Sequence, residues 1–278
     1  MPSAQVNGIR LHYDDEGHGD PVVLVMGQGA RGRSWHLHQV PDLVAAGHRV
    51  VTFDNRGIPP TDECPAGFTI DDLVADTAGL VEHLGLGPCR FVGVSMGAYV
   101  VQELLLARPE LAVQGVLMAT RGRTDVLRAA MREAERALYD AESELPPVYS
   151  AWVRALQNLS PATLDDDQRI QDWLELFEFS PPASGPGARA QLDLTVPPGR
   201  LDAYRAITTP CLVIGFADDL VLPPHLAREV ADAIPSATYR VVKDCGHYGY
   251  LERPDEVNRL LLEFFRSRSS PPADLKLG

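Results

Sequence analysis

One stretch of five residues, Gly93-Val94-Ser95-Met96-Gly97, constrains this chain more than any other. It reads G-x-S-x-G. Before it runs the apolar segment Cys89 to Val94, with the length and β-branched content of a buried strand. After it, Ala98 to Ala107 reads as a helix. A strand that passes straight into a helix holds the residue between them on a strained turn. Gly93 and Gly97 have no Cβ, so the two elements approach there without a clash. The serine oxygen then stands exposed, and the amide of Met96 points at whatever carbonyl that oxygen attacks. The plain alternative is a small-residue turn with an incidental serine. The two part on whether the chain also supplies a base and an acid.

Composition narrows the setting. The chain has 278 residues, a length at which α/β folds often form one domain. Hydrophobic residues make up 45%, enough for a sizeable core. Lys and Arg number 25 against 38 Asp and Glu, a formal net charge of −13, with no basic run. That balance argues against a nucleic-acid partner. No window approaches the roughly 18 apolar residues of a membrane helix. Met1 to Gly8 has neither the basic nor the apolar region of a signal peptide. A cytoplasmic protein without membrane attachment is the expectation, with the oligomeric state open. Cys64, Cys89, Cys211 and Cys245 are scattered without a C-x-x-C. Small core residues are therefore expected, not a metal site or a disulfide framework. Cys245 stands two residues before His247, and a thiol nucleophile there is a weaker alternative to Ser95.

Along the chain, Asn7-Gly8 between short alternating runs is a hairpin signal. Pro21 to Met26 is a continuous apolar run, a strand buried on both faces. Gly27 to Gly32 is a glycine-rich loop, and Ser34 is placed to cap a helix from Trp35 to Ala46. Arg49 to Phe53 reads as a strand and Thr69 to Leu84 as an amphipathic helix. A strand from Val113 to Ala119 follows the helix after Ser95. This alternation predicts an α/β fold, a mostly parallel central sheet with helices on both faces. The rhythm breaks between 122 and 199. Val126 to Glu144 reads as one long helix, and Pro146-Pro147, Pro161, Pro181-Pro182 and Pro197-Pro198 cut the remainder into short helical pieces. The segment is read as an inserted helical cap, with Trp152, Trp173, Phe177 and Phe179 as candidates for its underside. The rhythm resumes with a strand from Cys211, a helix from Pro224 to Ala233, a strand from Thr238 to Val242 and a helix from Pro254 to Arg266. The expected organisation is a core of 1–121 and 200–268, a cap of 122–199 and a flexible tail of 269–278.

A serine hydroxyl is a poor nucleophile without a base, and the base needs an orienting carboxylate. Asp218-Asp219 follows the Cys211 strand, and Asp244-Cys245-Gly246-His247 follows the Thr238 strand. Residues just past the carboxyl ends of parallel strands line one crevice. Ser95, the aspartate pair and His247 all fall there, in the order Ser, Asp, His that α/β-hydrolases use.

The chain resembles α/β-hydrolases over nearly its whole length, and most of all their cofactor-free, non-haem bromoperoxidase and esterase branch. TFDNRG (52–57), GVSMGA (93–98), LMATRGR (117–123), VIGFADD (213–219) and ERPDEVN (252–258) carry the likeness. The resemblance implies an α/β-hydrolase fold, a triad of Ser95, His247 and an aspartate, a helical cap, and no prosthetic group or metal. The family's D-x-x-V-P segment favours Asp219, four residues before Pro223, although Leu222 stands where the pattern has valine. Asp125 is a further candidate, because some members carry the acid after the preceding strand. The fold draws its second oxyanion amide from the loop after the third strand, which pairs Gln28 with Met96. Three positions depart from the pattern: Met26 replaces the histidine of the usual H-G pair, Gln28 replaces an aromatic residue, and Ala98 replaces the second glycine of S-x-G-G. These bear on halogenation more than on hydrolysis.

The expected activity is cleavage of a small carboxylic ester, lactone or thioester through an acyl-enzyme, with perhydrolase or haloperoxidase chemistry as a side reaction. Gly27, Arg31, Trp152 and Trp173 are candidate substrate contacts, and Arg121 and Arg123 lie in loops that could grip a carboxylate. Two alternatives come from other classes. Gly27 to Gly32 also spells G-x-G-x-x-G with Asp54 closing the next strand, the pattern of an NAD-dependent oxidoreductase. That reading leaves Ser95, Asp219 and His247 idle, and Pro41 interrupts the helix that should follow. The other is a non-catalytic member of the same fold, a receptor or a cyclisation scaffold.

Overall fold

The computed structural model describes residues 2–142, 145–181 and 183–267, so the tail expected at 269–278 lies outside them. Strands β1 (Ser3–Val6) and β2 (Ile9–Gly17) form the hairpin, with Val6 opposite Ile9. Between them Asn7 and Gly8 both take positive φ, 44° and 77°. Two such residues give the turn the same twist as the strands that it joins. Strands β3 (Asp20–Val25), β4 (His48–Phe53), β5 (Cys89–Val94), β6 (Ala112–Met118), β7 (Cys211–Phe216) and β8 (Ala237–Val242) complete one sheet. Its order is β1-β2-β4-β3-β5-β6-β7-β8. β2 runs antiparallel to both neighbours, and every pair from β4 to β8 is parallel.

Helices α1 (Gln39–Ala45), α2 (Ile70–His83) and α3 (Met96–Ala107) belong to the first half of the chain. Between β6 and β7 come α4 (Val126–Asp140), α5 (Pro147–Asn158), α6 (Pro161–Leu164), α7 (Asp167–Phe179), α8 (Pro186–Gln191) and α9 (Arg200–Ala203). The chain ends with α10 (Pro224–Ala233), α11 (Gly249–Glu252) and α12 (Pro254–Arg266).

Alternate residues of the central strands bury on opposite faces, as the period of two requires. Val23, Val25, Phe91, Leu117 and Val213 share a core with residues of α2, α3 and α10. Val22, Leu24, Val92, Val94, Val116 and Ile214 share another with residues of α1 and α12. Each such side chain, taken fully out of water, contributes about 1.5–3 kcal/mol. Apolar layers on both faces bury the central parallel strands, whose carboxyl ends lie along one edge. Helix α2 opens on a reciprocal cap: Thr69 Oγ1 accepts from the Asp72 amide at 3.3 Å, and Asp72 returns by accepting from the Thr69 amide at 2.8 Å.

Three local expectations change. Residues Gly32–Leu37 form a 3-10 stretch, and the α-helix starts only at Gln39, so Ser34 caps nothing. Pro41 then falls in the first turn of α1, where a missing N–H breaks no helix bond. The helix after Ser95 starts at Met96, two residues early. The long helix from Val126 ends at Asp140. Prolines of the insertion also start helices: α5, α6 and α8 all carry proline in the first turn. Helices α5 and α7 are 12 and 13 residues long and share a small core of Ala151, Ala155, Leu159 and Phe177, against which Tyr248 of the sheet side packs.

Candidate active site

Ser95 sits between β5 and α3 with φ 57° and ψ −120°, a conformation that side-chain-bearing residues rarely adopt. The surroundings hold it there. Its amide donates to the Met118 carbonyl at the end of β6 at 3.0 Å, and its carbonyl accepts from Tyr99 at 3.2 Å. A Cβ on Gly97 would run into the Val25 carbonyl, and one on Gly93 into the backbone of Gly97. β5, α3 and β3 therefore meet at the serine only because both positions are glycine.

His247 and Asp219 come together across 28 residues of sequence. His247 Nδ1 and Asp219 Oδ2 lie 2.8 Å apart, and the side chains are almost wholly buried. The other carboxylate oxygen of Asp219 accepts from the amides of Val221 at 2.8 Å and Leu222 at 2.7 Å. Two backbone donors thus fix the carboxylate, and the carboxylate fixes the ring. With Nδ1–H donated to Asp219, Nε2 is left as the free nitrogen of the neutral ring. The other two acids do different work. The Asp218 amide donates to the Cys245 carbonyl at 3.0 Å, which ties the β7 and β8 loops together. Asp125 caps α4 by accepting from the Arg128 amide at 2.9 Å and pairs with the Arg128 guanidinium at 2.9 Å.

Ser95 and His247 both line a cavity of about 500 Å³ that also takes in Gly27, Gln28 and Met96. A Cβ on Gly27 would stand 3.8 Å from Ser95 Oγ, so the glycine loop approaches the serine hydroxyl closely. Among the described residues neither the Gln28 nor the Met96 amide has a backbone acceptor. First-turn helix amides lack one by construction. The insertion closes the far side through Leu138, Val153, Arg154 and Gln157. The insertion is tied to the glycine loop at Gly29, whose amide donates to Gln191 Oε1 at 2.9 Å and whose carbonyl accepts from the Ala183 amide at 3.0 Å, and Glu135 stands near the Gln28 side chain. Glu135 is exposed toward the cavity, and desolvation of its carboxyl raises it above the ordinary range, against the pull of the nearby Gln28 side chain.

The remaining candidates fall elsewhere. Arg31 is exposed and lies off the cavity wall. Trp152 is 49% exposed and pairs with Tyr149 at 5.5 Å on the outside of α5. Trp173 stacks on Tyr248 at 6.2 Å and packs the insertion onto the His247 loop. Arg123 pairs with Glu229 at the surface. Cys245 is buried, and burial, helped by Glu252, pushes its thiol far above the reactive range. Asp54 is buried too, with Oδ1 accepting the Gly32 amide at 2.8 Å. The acid of the G-x-G-x-x-G pattern therefore closes its own loop and is not presented to a ribose.

Sequence reasoning missed Glu252. It is buried, and its Oε1 accepts from the Ser160 amide at 3.0 Å, the Ser160 hydroxyl at 2.8 Å and the Thr163 hydroxyl at 2.7 Å. Its Oε2 accepts from the Gly246 amide at 2.6 Å. One carboxylate thus joins the insertion to the residue before His247. The ERPDEVN run contains it, but a glutamate at the end of the one-turn helix α11 looks in sequence like any solvated charge.

Residues 22–260 match the model of the alpha/beta hydrolase family, and the chain belongs to that family. Over 259 residues it is 53% identical to a Mycobacterium tuberculosis (strain H37Rv) protein that carries the provisional name non-heme bromoperoxidase BpoC. The match covers 93% of this chain and 98% of the relative. A crystal structure under the same name and strain superposes with a TM-score of 0.90 at 52% identity, covering 94% of this chain and 97% of that one. A thermophilic esterase from Thermogutta terrifontis superposes with a TM-score of 0.80 at 25% identity, covering 96% and 99%.

Proposed function

We propose that the protein is a serine hydrolase of carboxylic esters, lactones or thioesters. In this reading Ser95 Oγ attacks the carbonyl carbon, and His247 Nε2 takes the hydroxyl proton. Asp219 holds the imidazole in one tautomer and stabilises the imidazolium that forms. The amides of Gln28 and Met96 stabilise the oxyanion; losing one such donor typically costs roughly 100- to 1,000-fold in rate. His247 returns the proton to the leaving oxygen or sulfur. Water then adds to the acyl-enzyme and releases the acid. Peroxide in place of water would release a peracid, a route that fits the name borne by the mycobacterial relative. The helices between β6 and β7 act as the cap that shapes the cavity.

One observation carries the reading: the bonded His247–Asp219 pair shares a cavity wall with a serine held at positive φ. The test is hydrolysis of p-nitrophenyl esters of increasing chain length by wild type and Ser95→Ala. We expect the variant to lose roughly 10^4-fold or more in kcat while folding normally. Equal rates in the two proteins contradict the assignment.

A further inference from the structure

Four arginines face the cavity, and two of them have protein partners. Arg128 binds Asp125 and donates to the carbonyls of Leu220 at 2.7 Å and Val221 at 2.8 Å. Arg154 donates to the Ser180 carbonyl at 2.8 Å and the Tyr248 hydroxyl at 3.1 Å, with its guanidinium 4.2 Å from the Phe177 ring centre. Arg121 and Arg132 differ. Both line the cavity, and among the described residues neither side chain has an ion pair or a hydrogen bond. An unpaired guanidinium withdrawn from water is unfavourable. Burial, and then the charge of Arg132, bring Arg121 down to about 10.

A third group is orphaned beside them. Tyr99 lines the same cavity, its hydroxyl is withdrawn from water and has no hydrogen-bond partner, and the residue is 6% exposed. Tyr99 lies four residues after Ser95 on α3, about 6 Å along the helix axis. Among the described residues of the wall the one carboxylate is Glu135, three residues from Arg132 on α4, near enough to act on its charge but forming no ion pair with it. This positive lining stands inside a chain of net charge −13. The protein's overall field does not explain it.

We propose that Arg121, Arg132 and the Tyr99 hydroxyl form a carboxylate-binding subsite, so that the substrate is an acyl compound with an anionic group a few carbons from the scissile carbonyl. This rests on the hydrolase reading above and names its substrate class. A carboxylate there accepts from both guanidinium groups and the phenol, relieves their mutual repulsion and fills the three unmet donors together. The same anchor holds the carbonyl at Ser95.

The experiment compares monomethyl adipate with methyl hexanoate, which differ by the distal charge. Wild type should prefer the adipate monoester by about tenfold to a hundredfold in kcat/KM, the range for hydrogen bonds to charged groups. That ratio should collapse toward one in Arg121→Met and fall in Arg132→Met and Tyr99→Phe, with partial recovery in Arg121→Lys. A wild-type ratio of one or below, or a ratio unmoved in Arg121→Met, overturns the subsite. Binding is read separately on Ser95→Ala with adipate itself. A rise in Tm that disappears in the Ser95→Ala, Arg121→Met double variant, and is not reproduced by hexanoate, supports the subsite even if neither ester is cleaved. No rise at millimolar adipate overturns it. Failure of cleavage with retained adipate binding sinks only the hydrolase reading.

Discussion

The carboxyl edge of the sheet and the helical insertion build two halves of one cavity by different physical means. At the sheet edge, backbone geometry decides everything. Ser95 is held by a strained turn, an amide bond to Met118 and two glycines that admit no Cβ. His247 is held by Asp219, and Asp219 by two amides of its own loop. In the insertion, side-chain packing decides. Its own core is four buried residues, and its helices expose large apolar groups such as Val126, Leu127 and Phe179. The proposed reacting groups sit at the sheet edge, and the insertion supplies much of the opposite wall of the cavity. On the proposed function, the contrast assigns chemistry to the sheet edge and leaves the insertion to shape the far wall.

The contrast breaks most visibly at Asp219. Asp219→Asn keeps the size of the side chain but removes the charge that orients His247. We expect kcat to fall roughly 10^4-fold with a Tm near that of wild type, measured by steady-state kinetics and thermal melting. A fall of less than tenfold would place the orienting acid elsewhere. Glu252 tests the joint between the halves. Glu252→Ala leaves the donors of Ser160, Thr163 and Gly246 without an acceptor, which should lower stability by about 1–3 kcal/mol in urea unfolding. Activity should drop as well, since Gly246 precedes His247. Glu252→Gln should recover part of both, and a neutral outcome in the alanine variant would uncouple the insertion from the histidine loop.

Smaller effects sharpen the same comparison. Burial raises the Asp54 carboxyl above its unfolded value of 3.8. The native state therefore holds that proton more tightly than the unfolded one, so the group favours folding at low pH and loses that contribution as pH rises through its native value. Asp54→Asn removes the titration while keeping an acceptor for the Gly32 amide. Chemical denaturation at several pH values should show the asparagine variant gaining on wild type from about pH 4 upward. Trp152→Ser, on the outside of α5, should change stability by only about 0.5 kcal/mol and leave kcat/KM for short esters within a factor of about two. A loss at Trp152 comparable to that at Asp219 would dissolve the distinction between the halves.

The same division governed what could be read from the chain alone. The G-x-S-x-G turn, the loop after β7 and the G-H loop after β8 are local patterns, and the structure puts Ser95 and His247 on one cavity and joins His247 to Asp219. Strand positions were legible because both-face burial makes continuous apolar runs, as in Val22 to Val25 and Phe91 to Val94. Aromatic candidates in the insertion were not separable. Trp152 faces outward and Trp173 packs between layers, while Arg121, Leu138 and Gln157 face the cavity. Which side of a short helix looks inward depends on contacts far away in sequence. Glu252 escaped for the same reason: its four donors come from positions 160, 163 and 246.

The central claim is that the hydroxyl at position 95 is the activated nucleophile. Intact-mass measurement after incubation with a fluorophosphonate tests it without any knowledge of the substrate. One adduct per chain is expected, mapped by peptide sequencing to Ser95, absent from Ser95→Ala and much slower to form in His247→Asn. No adduct on folded wild type, or an adduct that persists in Ser95→Ala, contradicts it.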